Sequence, residues 1–393
     1  MKVADYSYDL PEDLIAHFPS EQRGTSRLLI LERKTGAIKD KKYFDVVDCL
    51  RAGDVLVLNN TKVIKSRLKV MKPSGALREL VILEKHGVDD NWHRHKVLYR
   101  GSLKTGDKLR VISSFSDDLT DKKSPSPPPV ISKHKLVVEE ILGDGLAVVK
   151  SQDNLLKIAE KFGAVPLPPY LNREANSDDI KRYQTIFAKK QGSAAAPTAS
   201  LNMTDEILTK MQRKGVIVKY LTLHVGLGTF LPIRTDRVEE HQIHSEYFEI
   251  PTETVRAISL AKREKRRVVA VGTTVARTLE HCHQELGGYS LIVSHLTKKV
   301  KSTSDKTLLS PQNQTVATPN RQNALRGEAN IFIYPGYHFQ IVDALLTNFH
   351  APKSTVLMLS AAFAGWENLE KAYLHAITHH YRFLSYGDSM LIV

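Results

Sequence analysis

The sequence predicts a mixed α/β fold in which a smaller β-barrel-like domain interrupts a larger α/β domain. Three observations predict it. At 393 residues the chain exceeds one ordinary hydrophobic core. Buried-type strands running into turns and helices occupy both ends of the chain, over 1–65 and 151–393. Between them, over 66–150, the pattern changes to short β-type runs split by turn residues.

In order, Tyr6–Pro19 carries a short helix, with Pro11 at its first position and Glu12 and Asp13 in the positive first turn. Arg27–Leu31 reads as a strand ended by Lys34-Thr35-Gly36, and Asp54–Asn60 as a buried strand entering a polar turn. The central unit offers strands at Leu80–Leu83, Lys96–Tyr99, Lys108–Ile112, Leu136–Ile141 and Ala147–Lys150. Within it, the Pro-rich segment between Ser113 and His134 reads as a flexible loop. Helices are expected at Asn154–Phe162, at Ser177–Lys190 with Ser177 as cap, and at Thr204–Lys214. Pro166–Tyr170 is expected to be extended. A strand at Val216–His224, a helix at Thr252–Lys265, the strand Val268–Val271 and a helix at Val275–Leu286 follow. His295–Glu328 is polar and nearly free of aromatic residues, and reads as mobile. The strand Ile331–Tyr334, the helix Ile341–Thr347, the stretch Ser354–Phe363 and the helix Glu367–Tyr381 complete the chain.

Composition narrows the function. No charged-then-apolar leader is visible, and the longest apolar run, Val356–Trp366, is too short for a bilayer. Cys49 and Cys282 alone do not make a disulfide framework. A cytoplasmic protein without a membrane partner, and a monomer, is expected. The formal charge is +13, from 56 Lys+Arg against 43 Asp+Glu. That excess points to an acidic partner, with nucleic acid foremost. The densest basic run is Lys262-Arg263-Glu264-Lys265-Arg266-Arg267, so Lys262, Arg263, Lys265, Arg266 and Arg267 are candidate nucleic-acid contacts.

The chemistry concentrates in Gly192–Glu246. Small residues from Gly192 to Ala196, then Pro197 and Thr198, leave a backbone that a ligand can approach closely. His224, at a strand end, leads into Gly226, Gly228, Thr229 and Phe230. His241, His244 and Glu246 follow within six residues. They suit acid/base chemistry near neutral pH; they equally suit structural hydrogen bonds or a loose metal site, although no cysteine supports a metal and none is expected. Gly272-Thr273-Thr274 joins a buried strand to a helix, which suits either an anion on the helix start or a threonine cap. No dinucleotide fingerprint is present there. His375 with His379, and His281-Cys282-His283, have the wrong companions for a zinc site. Tyr337, Phe339 and Phe349, near Gly336, Asn348 and His350, suit base stacking or core packing.

These pieces, taken in order, resemble the S-adenosylmethionine:tRNA ribosyltransferase-isomerase family of queuosine synthesis. The resemblance runs through Asp9-Leu10-Pro11, Ser26–Leu29, Gly53-Asp54, Asn59–Val63, Pro166–Tyr170 and Arg182–Thr185. It continues through Ala195–Ala199, Thr222–Gly226, Gly228–Phe230, His241, His244–Glu246 and Ala270–Thr274. It ends with Phe332–Tyr337, Asp343–His350 and Tyr386–Asp388. Asn60 and Asn202 stand where the family pattern usually has Asp and His.

The resemblance implies a fold with an inserted β domain, and tRNA carrying 7-aminomethyl-7-deazaguanine at the wobble position as substrate. S-Adenosylmethionine would be consumed as a ribosyl donor, with no permanently bound cofactor, and the product would be epoxyqueuosine in tRNA with adenine and methionine released. His224, His241, His244 and Glu246, with Asp343 or Asp388 as a second carboxylate, are then the expected proton-transfer groups. The expected substrate contacts are Arg27, Asn59, Thr61, Arg182, Tyr183, Ala196, Pro197, Thr198, Gly226, Gly228, Thr229, Phe230, Gly272, Thr273, Thr274, Tyr334, Pro335, Gly336, Tyr337, Asn348 and His350. The basic run and the inserted β domain would meet the anticodon stem. A conventional S-adenosylmethionine-dependent tRNA methyltransferase, or a non-catalytic RNA-binding protein, are the competing readings. The first lacks its glycine-rich loop, and the second leaves the His/Glu cluster unexplained.

Overall fold

The computed structural model describes residues 1–86, 92–113, 131–226, 233–286, 318–320 and 324–393. The chain opens with β1 (Arg27–Glu32), β2 (Ala37–Lys42), α1 (Val46–Cys49), β3 (Val55–Asn59) and β4 (Thr61–Val63). There follow β5 (Arg67–Met71), β6 (Leu77–Ile82), β7 (Arg94–Arg100), β8 (Lys108–Ile112), β9 (Ile131–Gly143) and β10 (Leu146–Ser151). Next come α2 (Leu155–Phe162), α3 (Ser177–Arg182), β11 (Lys190–Ser193), α4 (Asp205–Arg213) and β12 (Ile217–Leu223). Then β13 (Glu246–Pro251), α5 (Thr252–Arg263), β14 (Val268–Val271), α6 (Thr273–Leu286), β15 (Thr318–Asn320) and β16 (Ala324–Ala329). The chain closes with β17 (Ala344–Asn348), α7 (Thr355–Ala364), α8 (Trp366–Thr378) and β18 (Ser389–Ile392).

Ten strands form one sheet in the order β15-β16-β13-β12-β3-β14-β17-β18-β1-β2. Its centre, β12-β3-β14-β17, is parallel. Those strands are apolar on both sides because both faces are covered. Val55 and Val57 of β3 join a core with α5, α6, α7 and α8, whereas Leu56 and Leu58 join the opposite core with α1 and α4. Strands β5–β10 close into a separate barrel. It is filled by alternate residues such as Leu68, Val70, Leu109, Val111, Leu136 and Val138, and α2 packs Leu155, Ile158 and Ala159 against them. No helix of the described residues is long and apolar enough to cross a membrane.

Several local expectations change. The N-terminal helix is only a 3-10 turn, Glu12–Leu14, behind Pro11. Asn176, not Ser177, caps α3 by accepting from the Asp179 N–H, and α3 stops at Arg182. Pro169–Leu171 is a 3-10 turn. The run expected as a helix at Ile341–Thr347 contains β17, buried along its whole length. A strand covered on both faces has no alternation to distinguish it from a buried helix. Ile331–Tyr334 joins no ladder; Phe332 and Tyr334 pack against each other, and Phe332 also against His241. The Pro-rich loop, apart from its ends, and most of His295–Glu328 lie outside the described residues.

Candidate active site

Every parallel strand of the sheet centre ends at one edge, and the loops leaving that edge build the site. His224 follows β12, Asn60 follows β3, Gly272 follows β14 and Phe349 follows β17. The antiparallel partners meet the same edge, since Glu246 opposite Ala329 opens β13 and Ser389 opposite Asn348 opens β18.

Two adjoining hollows open there, enclosing ≈ 580 and ≈ 690 Å³ of space that is continuous with solvent. The first is lined by Gly226, His241, His244, Glu246, Arg277 and Phe332 among others. The second is lined by Ala196, Pro197, Thr198, Asn348, His350 and Ser385 among others. Thr273, Thr274 and Val356 line both. The start of α6 therefore stands between the hollows. Gly272 makes the strand-to-helix turn at φ +95°, which favours glycine. The first N–H groups of the helix and its positive dipole end are suited to an anion. Among the described residues, the Thr274 hydroxyl and the buried Asn348 Oδ1 have no hydrogen-bond partner, so each is available to a bound molecule.

Arg277, one turn into α6 on the face of Thr273 and Thr274, is absent from the expected site residues. Its Nη2 lies 2.6 Å from Glu246 Oε2 and also donates to the Ala329 carbonyl at 3.1 Å. The Gly226 N–H donates to the other Glu246 oxygen at 2.8 Å. With Glu246 buried and Arg277 nearly so, this pair fixes β13, α6 and the Gly226 turn around the first hollow. Glu246 is thus a positioning residue. His241 and His244 face that hollow. Burial, with a smaller contribution from His244, holds the His241 pKa below its usual value and favours the neutral base. Burial pushes His350 down to about 3, so it lines the second hollow as a neutral group bonded to Thr347 Oγ1.

Other expected site residues are placed elsewhere. His224 lies beneath the site, its Nδ1 2.8 Å from Thr61 Oγ1 and its ring stacked on Tyr247. Asn59 clamps Leu223 and Thr61 through backbone bonds. Arg27 spends its guanidinium on the His379 and His380 carbonyls over the Tyr381 ring. Arg182 caps the Ser20 and Glu21 carbonyls. Tyr183 is fully buried against Tyr386. Asp388 accepts the Arg27 and Arg382 N–H groups. Tyr334, Pro335, Gly336 and Tyr337 line a larger, more open groove with His283 and His338. Gly228, Thr229 and Phe230 lie outside the described residues.

Two expectations are corrected by strand direction. Asp343 precedes β17, accepts the Val268 N–H and pairs with Lys262 at 2.9 Å. Arg267 precedes β14 and pairs with Asp54 at 2.5 Å. Both sit at the amino edge, a strand's length (about 13 Å for four residues) from the pocket edge. Asp343 is therefore not the second carboxylate of this pocket. Lys262 and Arg267, together with Arg266 on Glu264 and the Gly53 carbonyl, tie loops together.

Three further groups carried no sequence signal. Glu280 of α6 accepts from the Tyr337 hydroxyl and from the N–H groups of Gln340, Ile341 and Val342, anchoring the loop before β17. Buried Glu84, beyond β6 of the barrel, lies against Gly226, where a Cβ would come within 2.7 Å of its Oε1. His86 lies between Glu84 (3.1 Å) and Glu328 (3.4 Å), and Ser245 donates to Glu328. The barrel is thereby fastened to β13 and β16 beside the pocket. Hydrogen bonds to Glu328 and then Glu84 raise the His86 pKa from 6.5 to about 9. A raised pKa stabilises the fold fully below pH 6.5, and that stabilisation disappears as pH rises through about 9. The melting-temperature gap between wild type and His86→Gln should therefore be widest at mildly acidic pH and close above pH 9. A gap that stays constant across that range would contradict the ion-pair assignment. Among the described residues, no cluster of three or more His, Cys, Asp or Glu could hold a metal ion.

A helix start poised for an anion, with histidines and a buried Arg–Glu pair at the carboxyl edge of a parallel sheet, defines an enzyme pocket for a charged small molecule. A family model described as "Queuosine biosynthesis protein" matches residues 3–392. The S-adenosylmethionine:tRNA ribosyltransferase-isomerase of Chlorobium phaeobacteroides is 47% identical over 395 residues, covering 100% of both chains. The protein of the same name from Halothermothrix orenii is 41% identical over 401 residues, again with 100% of both chains covered. A solved structure of S-adenosylmethionine tRNA ribosyltransferase from Thermotoga maritima is 30% identical, covers 99% of this chain and 100% of its own, and superposes with a TM-score of 0.49. The chain belongs to the queuosine biosynthesis family.

Proposed function

We propose that this enzyme transfers the ribosyl group of S-adenosylmethionine to the aminomethyl nitrogen of 7-aminomethyl-7-deazaguanine at the tRNA wobble position, isomerising it to epoxyqueuosine and releasing adenine and methionine. The observation that carries this reading is the family match over residues 3–392, joined to two adjoining hollows that share the start of α6. The reaction needs a base for the ribose carbon beside the sulfonium, an acid for departing adenine, and a group that takes a proton from the amine. His241 and His244 are the free proton carriers of the first hollow, and His241 is held neutral for the base role. The methionine carboxylate belongs on the N–H groups of Thr273 and Thr274. Gly226, Glu246 and Arg277 shape the wall. The consecutive residues Ala196, Pro197 and Thr198 line the second hollow with little side-chain bulk, which suits the flat modified base.

Mass analysis of the tRNA nucleosides after reaction tests this. A ribosyl-derived mass gain on the deazaguanine supports it; a gain of one methyl group supports the methyltransferase instead.

A further inference from the structure

The +13 charge must lie somewhere on the surface, and its densest run, Lys262–Arg267, is largely spent on internal ion pairs. A second set of cations is arranged differently. On β8 and β9 the inward residues Leu109, Val111, Leu136 and Val138 fill the barrel, while Lys108, Arg110, Lys133 and Lys135 alternate with them and are exposed. The ladder sets Arg110 directly opposite Lys135. Like charges facing each other across strands destabilise a sheet, so this pair carries a standing cost in the free protein. Among the described residues none of the four makes an ion pair, although neighbouring Arg94 and Lys72 do, with Glu139 and Asp107.

The stripe also has a direction. Strand β6 runs toward Glu84 and the pocket, β5 is antiparallel to it, β8 to β5 and β9 to β8. Lys133 is therefore nearest the barrel end that meets the site, followed by Arg110 with Lys135, then Lys108. Over about 13 Å of strand this row can neutralise several phosphates, since a duplex carries about one charge per 1.7 Å of axis.

We propose that the outer face of β8–β9 is the docking surface for the ribose-phosphate backbone of the tRNA substrate, guiding it to the pocket edge. The partner's identity rests on the function proposed above; the surface itself rests on register and charge. Recognition through phosphates fits an A-form stem, whose deep groove side chains cannot read.

The test compares two charge-matched variants of the full chain. One carries Lys108→Gln, Arg110→Gln, Lys133→Gln and Lys135→Gln; the other carries Lys34→Gln, Arg213→Gln, Arg256→Gln and Lys371→Gln, all exposed elsewhere. The probe is the tRNA transcript, titrated at several salt concentrations. The barrel variant should bind at least tenfold more weakly near physiological salt, with a salt slope shallower by about 2–3, and should melt no lower than wild type because the opposed charges are gone. The control should stay within about twofold of wild type. Equal losses in both variants, or none in the barrel variant, would overturn the proposal. Ribosyl transfer that persists with unchanged KM for tRNA in the barrel variant refutes the surface alone. Wild-type binding that depends on the stripe without any ribosyl transfer refutes the reaction alone.

Discussion

Arg277→Leu should lower folding stability by roughly 3–5 kcal/mol, the usual cost of breaking a buried ion pair by removing one partner. The charge left behind is Glu246, which is almost inaccessible and accepts the Gly226 N–H at its other oxygen. Activity should fall further than stability explains, because the Gly226 turn, β13 and the start of α6 lose their common anchor. Adenine release should drop by about 10²–10³, in the range for losing one preorganised polar contact at a reaction centre. Arg277→Lys should recover stability better than activity, since a point charge on a different stem replaces the planar guanidinium whose Nη2 meets both Glu246 and the Ala329 carbonyl. Chemical denaturation and single-turnover adenine release, measured on the same preparations, check this. Near-wild-type values for Arg277→Leu would show that the pair is ornamental.

His244→Ala is expected to act on chemistry alone. Its ring faces the first hollow and its position is exposed, so truncation leaves neither a buried cavity nor an unpaired charge. Loss of a positioned proton carrier costs about 10²–10⁴ in rate, and tRNA affinity should be unchanged. Loss of tRNA affinity with intact adenine release would move His244 out of the proton-transfer set and into RNA recognition.

Much of the architecture is legible in the residues. The switch to short alternating strands after Ser66 marks the barrel, and Val268–Thr274 reads directly as strand, turn and helix start. The small-residue run Ala196–Thr198 and the His241–Glu246 cluster do reach the pocket. The failures have specific causes. Asp343 and Lys262–Arg267 stand before their strands, and in a parallel sheet that places them at the edge away from the pocket; for Asp343 this is hidden in the sequence, because its run reads as a helix. Arg277 lies three and four residues beyond Thr274 and Thr273, on the same helical face, so it was discoverable from spacing. Glu84, His86 and Glu328 are brought together by docking between the barrel and the large sheet, which local patterning does not encode. His224, at a strand end, and Asn59, a contact the resemblance implies, are expected in the chemistry, yet Thr61 and backbone groups take up His224 Nδ1 and the Asn59 amide. Asn202, similarly, is buried and donates to the Gly387 carbonyl at 3.2 Å, a fastening between the α4 approach and β18.

The central claim is that the pocket at the carboxyl edge consumes S-adenosylmethionine as a ribosyl donor. The direct measurement follows S-adenosylmethionine labelled separately in its adenine and methyl groups, incubated with enzyme and tRNA bearing the aminomethyl deazaguanine. The account predicts free adenine and methyl-labelled methionine in equal amounts, matching the modified tRNA formed. Label transferred as methyl to tRNA, with S-adenosylhomocysteine released, would contradict it.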